Sequence, residues 1–312
     1  MVARQGGADP AADRVVAPED QAFAALLHET AEFRPHEAGY RAFMSFNLGA
    51  VERGRIDAGR LAGTVALDGA RALDIGAGSG GLAIALAERG AHVTALEPDE
   101  TRRRWAAARI AGHAAGVELC EGVAEHLPFA DASFDLVTMD SVLEHVESPA
   151  RTIEEVSRVL APGGTLFLSW PNKASLLTIW RDPHYQMTGV VLLPRRVGAF
   201  YVERVRRSER GYWVNVIPRR RWVQRRFLRE GVRLQRLIPE GLEKIGDPEA
   251  IRHSPRVRVL ARAARATGLT EALRRLALAQ YPAHVYLGVK GRRRTPAVPP
   301  AVTSAGPGAR SA

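Results

Sequence analysis

Four groups of residues in this chain have types and spacing suited to chemistry. Asp74-Ile75-Gly76-Ala77-Gly78-Ser79-Gly80-Gly81 sets an acid just ahead of a glycine cluster, and Glu97 follows 21 residues after Gly76. Further on stand His145, within Asp140-Ser141-Val142-Leu143-Glu144-His145, and the pair His184-Tyr185 beside Pro183. Glycine has no Cβ and accepts positive φ, so a ligand can lie directly on such a turn. A helix that opens after it offers unpaired N–H groups. A carboxylate at a strand end can accept two hydroxyls in bidentate fashion. Imidazole titrates near neutrality and is suited to take a proton from a hydroxyl.

Two ligands compete for the glycine turn. Gly76, Gly78 and Gly81 fit G-x-G-x-x-G, and Glu97 stands about where a dinucleotide fold keeps its ribose-binding acid. Asp74 argues the other way, because a carboxylate two residues before the first glycine would face a pyrophosphate with like charge. S-adenosylmethionine carries a sulfonium and an ammonium and no phosphate, and a nearby carboxylate stabilises both cations. The turn therefore reads as a cradle for a methionine moiety, with a nicotinamide dinucleotide the less favoured ligand.

The elements that must hold these residues follow from hydrophobic patterning. Ala70 to Ile75 reads as a strand and Leu82 to Arg89 as a helix. Ala91–Glu97, Val117–Cys120, Phe134–Met139 and Thr165–Trp170 read as further strands, with helices over Arg102–Ala115 and Ala150–Leu160. Beyond them come a helix at Pro218–Glu230, strand six at Val232–Ile238, a long helix at Arg256–Leu278 and strand seven at His284–Val289. Such alternation implies an α/β fold, a Rossmann-like, seven-stranded, mostly parallel sheet with helices on both faces.

The ordered motifs resemble the class I S-adenosylmethionine-dependent methyltransferases. They are Leu73–Gly80, Glu97, Ala124-Glu125-His126-Leu127-Pro128-Phe129, Phe134–Val137, Leu143-Glu144-His145-Val146 and Arg158–Gly164. The match is nearest to the type 11 subgroup, which includes small-molecule and quinone methyltransferases, and it covers about residues 68–172. The resemblance implies that Asp74, Gly76, Ala77, Gly78 and Gly80 hold the methionine portion of the cofactor and Glu97 the ribose. It puts Ala124 and Glu125 beside adenine, although Val123 stands where the family often has Asp, and it brings Asp140 to the cofactor edge. His145 is the candidate base, and His184 and Tyr185 are the second candidates for contact with an acceptor. The stretch after Asp140 lacks the Asn/Asp-Pro-Pro-aromatic pattern of enzymes that methylate base or glutamine amino groups, so O-methylation of a small acceptor is the expected reaction.

Composition bounds the rest. Cys120 is the only cysteine, no His/Asp/Glu grouping has metal-ligand spacing along the chain, and no apolar run approaches a membrane span. A cytoplasmic protein with no metal is the simplest expectation. The organisation expected is a disordered 1–17, an N-terminal helical region at 18–66 and a methyltransferase domain at 67–291. Within that domain a cap insertion occupies about 173–217, and 292–312 form a disordered basic tail. Tyr40 or Phe46 in the N-terminal region would be the lid residue if that region closes over the cofactor, though packing is the simpler role.

The net charge of +10 conceals a division. Residues 1–172 carry 15 basic and 25 acidic side chains, and residues 173–312 carry 29 and 9. A basic, aliphatic-rich cap suits a lipid-linked or anionic acceptor, or an anionic membrane surface. Arg219-Arg220-Arg221-Trp222 motivates an RNA-directed enzyme as the alternative, and a non-catalytic cofactor-binding protein is a third reading. RNA fits less well, because the cap's apolar residues are mostly aliphatic rather than stacking aromatics.

Overall fold

Apolar residues run almost continuously through the central strands, which therefore bury both faces. The computed structural model describes residues 16–31, 40–113, 115–182, 184–185, 187–206, 214–215, 217–237 and 266–291. After a 3₁₀ turn at Pro18–Asp20 come helices α1 (Gln21–Glu29), α2 (Tyr40–Leu48) and α3 (Ala50–Ala62). The alternating unit follows as β1 (Arg71–Ile75), α4 (Gly81–Ala87), β2 (His92–Leu96), α5 (Glu100–Gly112), β3 (Val117–Cys120), β4 (Phe134–Asp140), α6 (Pro149–Val159) and β5 (Leu160–Pro171).

The described residues form one seven-stranded sheet in the order β3-β2-β1-β4-β5-β7-β6, with β6 at Val232–Arg236 and β7 at Ala283–Lys290. Strands β1 to β5 pair in parallel, while β7 runs antiparallel between β5 and β6. The direction of winding reverses between β1 and β4, and ligands of open α/β sheets bind at the carboxyl ends of strands beside such a reversal. Asp74, Glu97 and Asp140 all sit at or next to those ends.

Successive side chains divide between two cores. Leu73, Ile75, Val137, Met139, Leu166, Leu168 and Trp170 enter one, which α6 and α9 (Arg220–Arg229) close with Ile153, Val156, Val223 and Phe227. Ala72, Ala95, Leu136 and Phe167 enter the other, beneath α3 and α4. The second face is rich in alanine, which lets helices approach closely. A methyl group on Gly54 of α3 would stand 2.5 Å from the Gly81 carbonyl oxygen, so these two helices meet backbone to backbone.

The cap between β5 and α9 contains α7 (Leu176–Trp180), a 3₁₀ turn at Val190–Leu192 and α8 (Arg195–Arg206). Tyr185, Val190, Val202 and Val214 form its own small core. Tethers reach from the cap back to the sheet. Asn172 Nδ2 donates to the carbonyls of Ala279 and Tyr281, and Asn215 Nδ2 donates to the His145 carbonyl.

Two expectations change in detail. The fifth strand is longer than its apolar run, because it begins at Leu160 opposite Phe134 and crosses the Pro162-Gly163-Gly164 turn with a register shift. The helix expected over Arg256–Leu278 does not run unbroken. Its first part lies outside the described residues, and a turn about Gly268 precedes α10 (Thr270–Gln280). The expected termini, 1–15 and 292–312, also lie outside the described residues. No helix among the described residues is long and apolar enough to cross a membrane.

Candidate active site

Strand β1 delivers the chain into a turn in which Gly76, Gly78 and Gly80 have φ of 68°, 57° and 79°. L side chains rarely adopt this region, so the alternating glycines are what allow the turn. The amides of Gly76 and Ala77 donate to the Leu96 carbonyl, which pins the turn against the end of β2. A methyl group on Gly76 would meet Val142 at 2.5 Å, whereas one on Gly78 would meet nothing closer than 3.9 Å. Gly78 therefore borders open space on the ligand side, while Gly76 is covered by the segment after β4.

Asp74 lies beneath this turn at 3% exposure. Burial pushes its carboxyl up to about 7; the 2.6 Å hydrogen bond donated by Thr138 Oγ1 opposes the shift, and the acids Asp140 and Glu97 add to it. A buried acid poised this way gains most when a cation arrives beside it. Glu97 is also buried and accepts the Gly78 amide on Oε2 at 2.9 Å and the Asp99 amide on Oε1 at 3.1 Å. Each oxygen keeps a second lone pair, enough for two hydroxyls. Asp140 is exposed at the end of β4 and is bonded by Ser169 Oγ. These residues fit a ligand with cationic and diol groups.

The adenine-side residues behave differently. Ala124 is buried in the core, and Glu125 Oε1 accepts the amides of Glu147 and Ser148 ahead of α6. That role stabilises a loop and helix start. A ring in this position would therefore be met mainly by backbone groups of the loop, where Val123 and His126 form an isolated bridge.

The most informative arrangement brings together two regions far apart in sequence. The ring centroids of His145, after β4, and His184, in the cap, lie 5.0 Å apart with planes at 83°. Between them sits Glu144, fully buried, with Oε1 3.6 Å from His184 Nε2 and 3.9 Å from His145 Nε2. Neither oxygen of Glu144 has a hydrogen-bond partner among the described residues. Asp182 approaches His184 from the other side at 3.7 Å and accepts the amides of His184 and Tyr185. Burial alone would lower the His184 pKa, but Asp182 and Glu144 outweigh it and raise it to about 9. His184 is thus cationic at neutral pH.

Glu144, His145 and His184 each present one potential ligand atom within 4.8 Å of the others, so they could hold a metal ion. The expectation of no metal grouping concerned spacing along the chain; in space the fold brings His184 to Glu144. Tyr185 turns away from this group. Its ring packs in the cap core, and its hydroxyl accepts the Val214 amide at 3.0 Å.

A cavity of about 270 Å³ opens beside the post-β4 segment, lined by Ser141, Pro171, Leu177, Thr178, Arg181, Pro282 and Ala283. Ser141 itself has φ 56°, a left-handed conformation where the chain leaves β4. Neighbouring Val142 is the residue that covers Gly76. The two lid candidates take other places. Tyr40 bonds His28 at the N-terminal layer, and Phe46 is exposed beneath the Arg53 guanidinium.

Glu144, Asp182 and Thr138 were not foreseen as site residues. Glu144 had a signal, since an acid flanked by Leu143 and Val146 is carried inward by its neighbours. Thr138 had none, because its partner Asp74 lies 64 residues away; Asp182 stands only two residues before the His184 it pairs with.

Comparison with known proteins points the same way. Residues 73–168 match the type 11 family described as "Methyltransferase domain". A ubiquinone biosynthesis O-methyltransferase from Pseudomonas aeruginosa is 37% identical over 160 residues, covering 47% of this chain and 63% of that protein. One from Xylella fastidiosa is 38% identical over 112 residues, covering 35% of this chain and 45% of that protein. An uncharacterized methyltransferase from Mycolicibacterium gilvum is 39% identical over 111 residues, 36% of this chain and 40% of that protein. The chain spans less than two-thirds of the length of each.

Proposed function

We propose, on the premise that residues 73–168 form a class I S-adenosylmethionine-dependent methyltransferase domain of type 11, that the protein O-methylates a small or lipid-linked hydroxyl acceptor. The observation that carries this reading is the buried Glu144 set between His145 and His184, two residues after the Val142 that covers Gly76. When bound, S-adenosylmethionine supplies an electrophilic methyl group on a sulfonium. The chain's own residues do the rest. Asp74 and the backbone of Gly76, Ala77, Gly78 and Gly80 hold the methionine portion, Glu97 accepts the ribose hydroxyls, and Asp140 and the Ala124–Glu125 loop border the remainder.

His145 takes the acceptor's hydroxyl proton as that oxygen gains the methyl group. Glu144 orients the imidazole and stabilises it once protonated. His184, already cationic, cannot be that base; its charge favours developing oxyanion character on the acceptor. The two residues thus divide the base role and the electrostatic role between the segment after β4 and the cap. Holding donor and acceptor collinear and excluding water supplies the larger share of the acceleration, because the methyl group is already activated.

The cap's surface supports an apolar or lipid-linked acceptor and a peripheral place at an anionic membrane. Leu176, Leu177 and Trp180 fall on one side of α7 with 69%, 63% and 73% exposure, and Phe200 of α8 is 67% exposed. Arg181, Arg195, Arg196 and Arg204 of the same segment are also exposed. An apolar face accompanied by guanidinium groups suits the boundary between acyl chains and anionic headgroups.

Calorimetry with S-adenosylmethionine, S-adenosylhomocysteine and NAD tests the cofactor half, and transfer of labelled methyl to a panel of phenols and catechols tests the reaction. Binding of the sulfonium compound with methyl transfer to oxygen is expected; binding of NAD alone overturns the reading. Co-sedimentation with phosphatidylglycerol and phosphatidylcholine vesicles tests the surface, with loss from neutral vesicles expected. An RNA filter-binding assay across salt separates the nucleic-acid alternative.

A further inference from the structure

Arg109 of α5 is fully buried, which is uncommon for a guanidinium. Its donors reach three segments remote from one another in sequence. Nε donates to Asp20 Oδ1 at 2.9 Å, in the turn ahead of α1. Nη2 donates to the Asn47 carbonyl at 2.9 Å, near the end of α2. Nη1 donates to Ser79 Oγ at 2.9 Å and to the Ser79 carbonyl at 3.5 Å, inside the glycine turn. The flat face of the group lies 3.5 Å from the centre of the Phe23 ring in α1. Every edge of the fork is thereby used, and so is one face.

Neighbouring contacts make α5 a shared platform for the same segments. A methyl group on Gly80 would touch Ala106 at 3.5 Å and Ile110 at 3.6 Å, so α5 packs directly behind the turn. At its far end Gly112 lies against the Glu19 carbonyl, with no room for a side chain. Trp105 Nε1 donates to Thr30 Oγ1 at 2.7 Å, and His113 Nε2 stands 3.3 Å from Asp20. The N-terminal helices therefore do not merely cover the sheet. They share one buried cation with the cofactor turn.

We propose that Arg109 is a positioning residue for the cofactor turn, and that through it the docking of residues 18–31 and 40–48 and the binding of S-adenosylmethionine favour each other. The inference rests on the cofactor assignment above and adds a coupling to it. Asp20 touches Arg109 and His113 directly, so α5 is the shortest route by which Asp20 can act on cofactor affinity. Coupling of this kind is reciprocal: if docking tightens the turn, an occupied turn must hold the helices more firmly. Pinning Ser79 costs entropy once, and a segment that has already met that cost lets the ligand bind to a prepared site.

The test is calorimetric titration of S-adenosylhomocysteine into the full chain and its variants, with melting temperature and amide hydrogen exchange over residues 21–29 measured alongside. Asp20→Ala should raise the Kd about five- to tenfold, while Arg109→Lys, which keeps the charge but loses the fork, should do at least as much. In an Arg109→Met background Asp20→Ala should change the Kd less than about twofold, the signature of a shared route. If Arg109→Met does not fold, Ser79→Ala serves as the background, because it removes the shorter of the two bonds from Arg109 to the turn and leaves the bonds to Asp20 and Asn47 in place. Exchange over 21–29 should slow on adding S-adenosylhomocysteine to the wild type. A purely structural role predicts lowered melting temperatures with unchanged Kd and ligand-independent exchange, and that result overturns the proposal. A wild-type protein that binds no S-adenosylhomocysteine overturns the functional reading and the coupling with it. Tight wild-type binding that Asp20→Ala leaves untouched overturns the coupling alone.

Discussion

The two halves of the candidate site are built in opposite ways. The cofactor half comes from contiguous chain: Asp74 to Gly81 supply an acid, three left-handed glycines and a helix start within eight residues, and Glu97 lies one βα unit further on. The acceptor half is assembled from pieces. Glu144 and His145 leave the sheet after β4, His184 arrives 39 residues later from the cap, and Asn215 ties the two by bonding the Glu144 and His145 carbonyls. A contiguous site is as rigid as its local backbone, whereas an assembled one depends on how the cap docks. Perturbations of the first should act on binding, and perturbations of the second on turnover.

The largest expected effect lies in the acceptor half. His145→Gln should lower kcat for methyl transfer to a catechol or phenol by about 10²–10⁴-fold, the usual worth of a positioned base. The Kd for S-adenosylhomocysteine should stay within about twofold. An equal loss in both would place His145 in the cofactor half and erase the distinction. Gly76→Ala should come next and act in the opposite sense. It combines a positive φ with a methyl group driven toward Val142, and strain of about 1–3 kcal/mol is expected. Cofactor affinity should fall at least tenfold, with melting temperature reduced by several degrees; normal affinity would show that the turn is not the cradle.

A third test uses pH to sharpen the same contrast. The Asp74 carboxyl is raised to about 7, so at pH 6 it is mostly protonated and at pH 8 mostly ionised. A cationic ligand prefers the ionised form, so cofactor affinity should rise about tenfold from pH 6 to pH 8, with proton release on binding at pH 6. Asp74→Asn should bind weakly with a flat profile. A flat profile in the wild type would separate Asp74 from the cationic end of the ligand.

The smallest expected effect is on stability. His184 is raised from 6.5 to about 9, so its ion pairs with Glu144 and Asp182 contribute fully below pH 6.5 and are lost as pH rises through 9. Wild-type melting temperature should drop between pH 6.5 and 9.5 by a few degrees more than that of His184→Asn. Parallel profiles would mean that the cap does not use this charge to dock. The experiment also bears on the metal-like grouping of Glu144, His145 and His184. Added Zn²⁺ or Mn²⁺ at pH 8 should raise the melting temperature only if the two imidazoles can give up protons to a cation.

Much of the molecule could be read from local pattern. Strand patterning indicated the parallel sheet, and the glycine turn with its spacing to Glu97 pointed to the candidate cofactor cradle. Their causes are local: side chains alternate along a strand, φ is restricted by Cβ, and a strand end presents its last residues to a ligand. Even the cap was visible, as a long basic and aliphatic stretch that interrupts the βα alternation after β5.

Tertiary structure alone decided the rest, because it concerns which remote atoms meet. No period in the chain links His184 to Glu144, or Arg109 to Asp20 and Ser79, 89 and 30 residues away. Nor does the identity of Glu125 reveal that its carboxylate is spent on the amides of Glu147 and Ser148, or that of Tyr185 that its ring belongs to the cap core. Charge states followed the same rule. Asp74 and His184 carry ordinary side chains, and only burial together with their particular neighbours moves one up to about 7 and the other to about 9. Desolvation and Coulomb interaction depend on distance in space, and folding is what sets that distance.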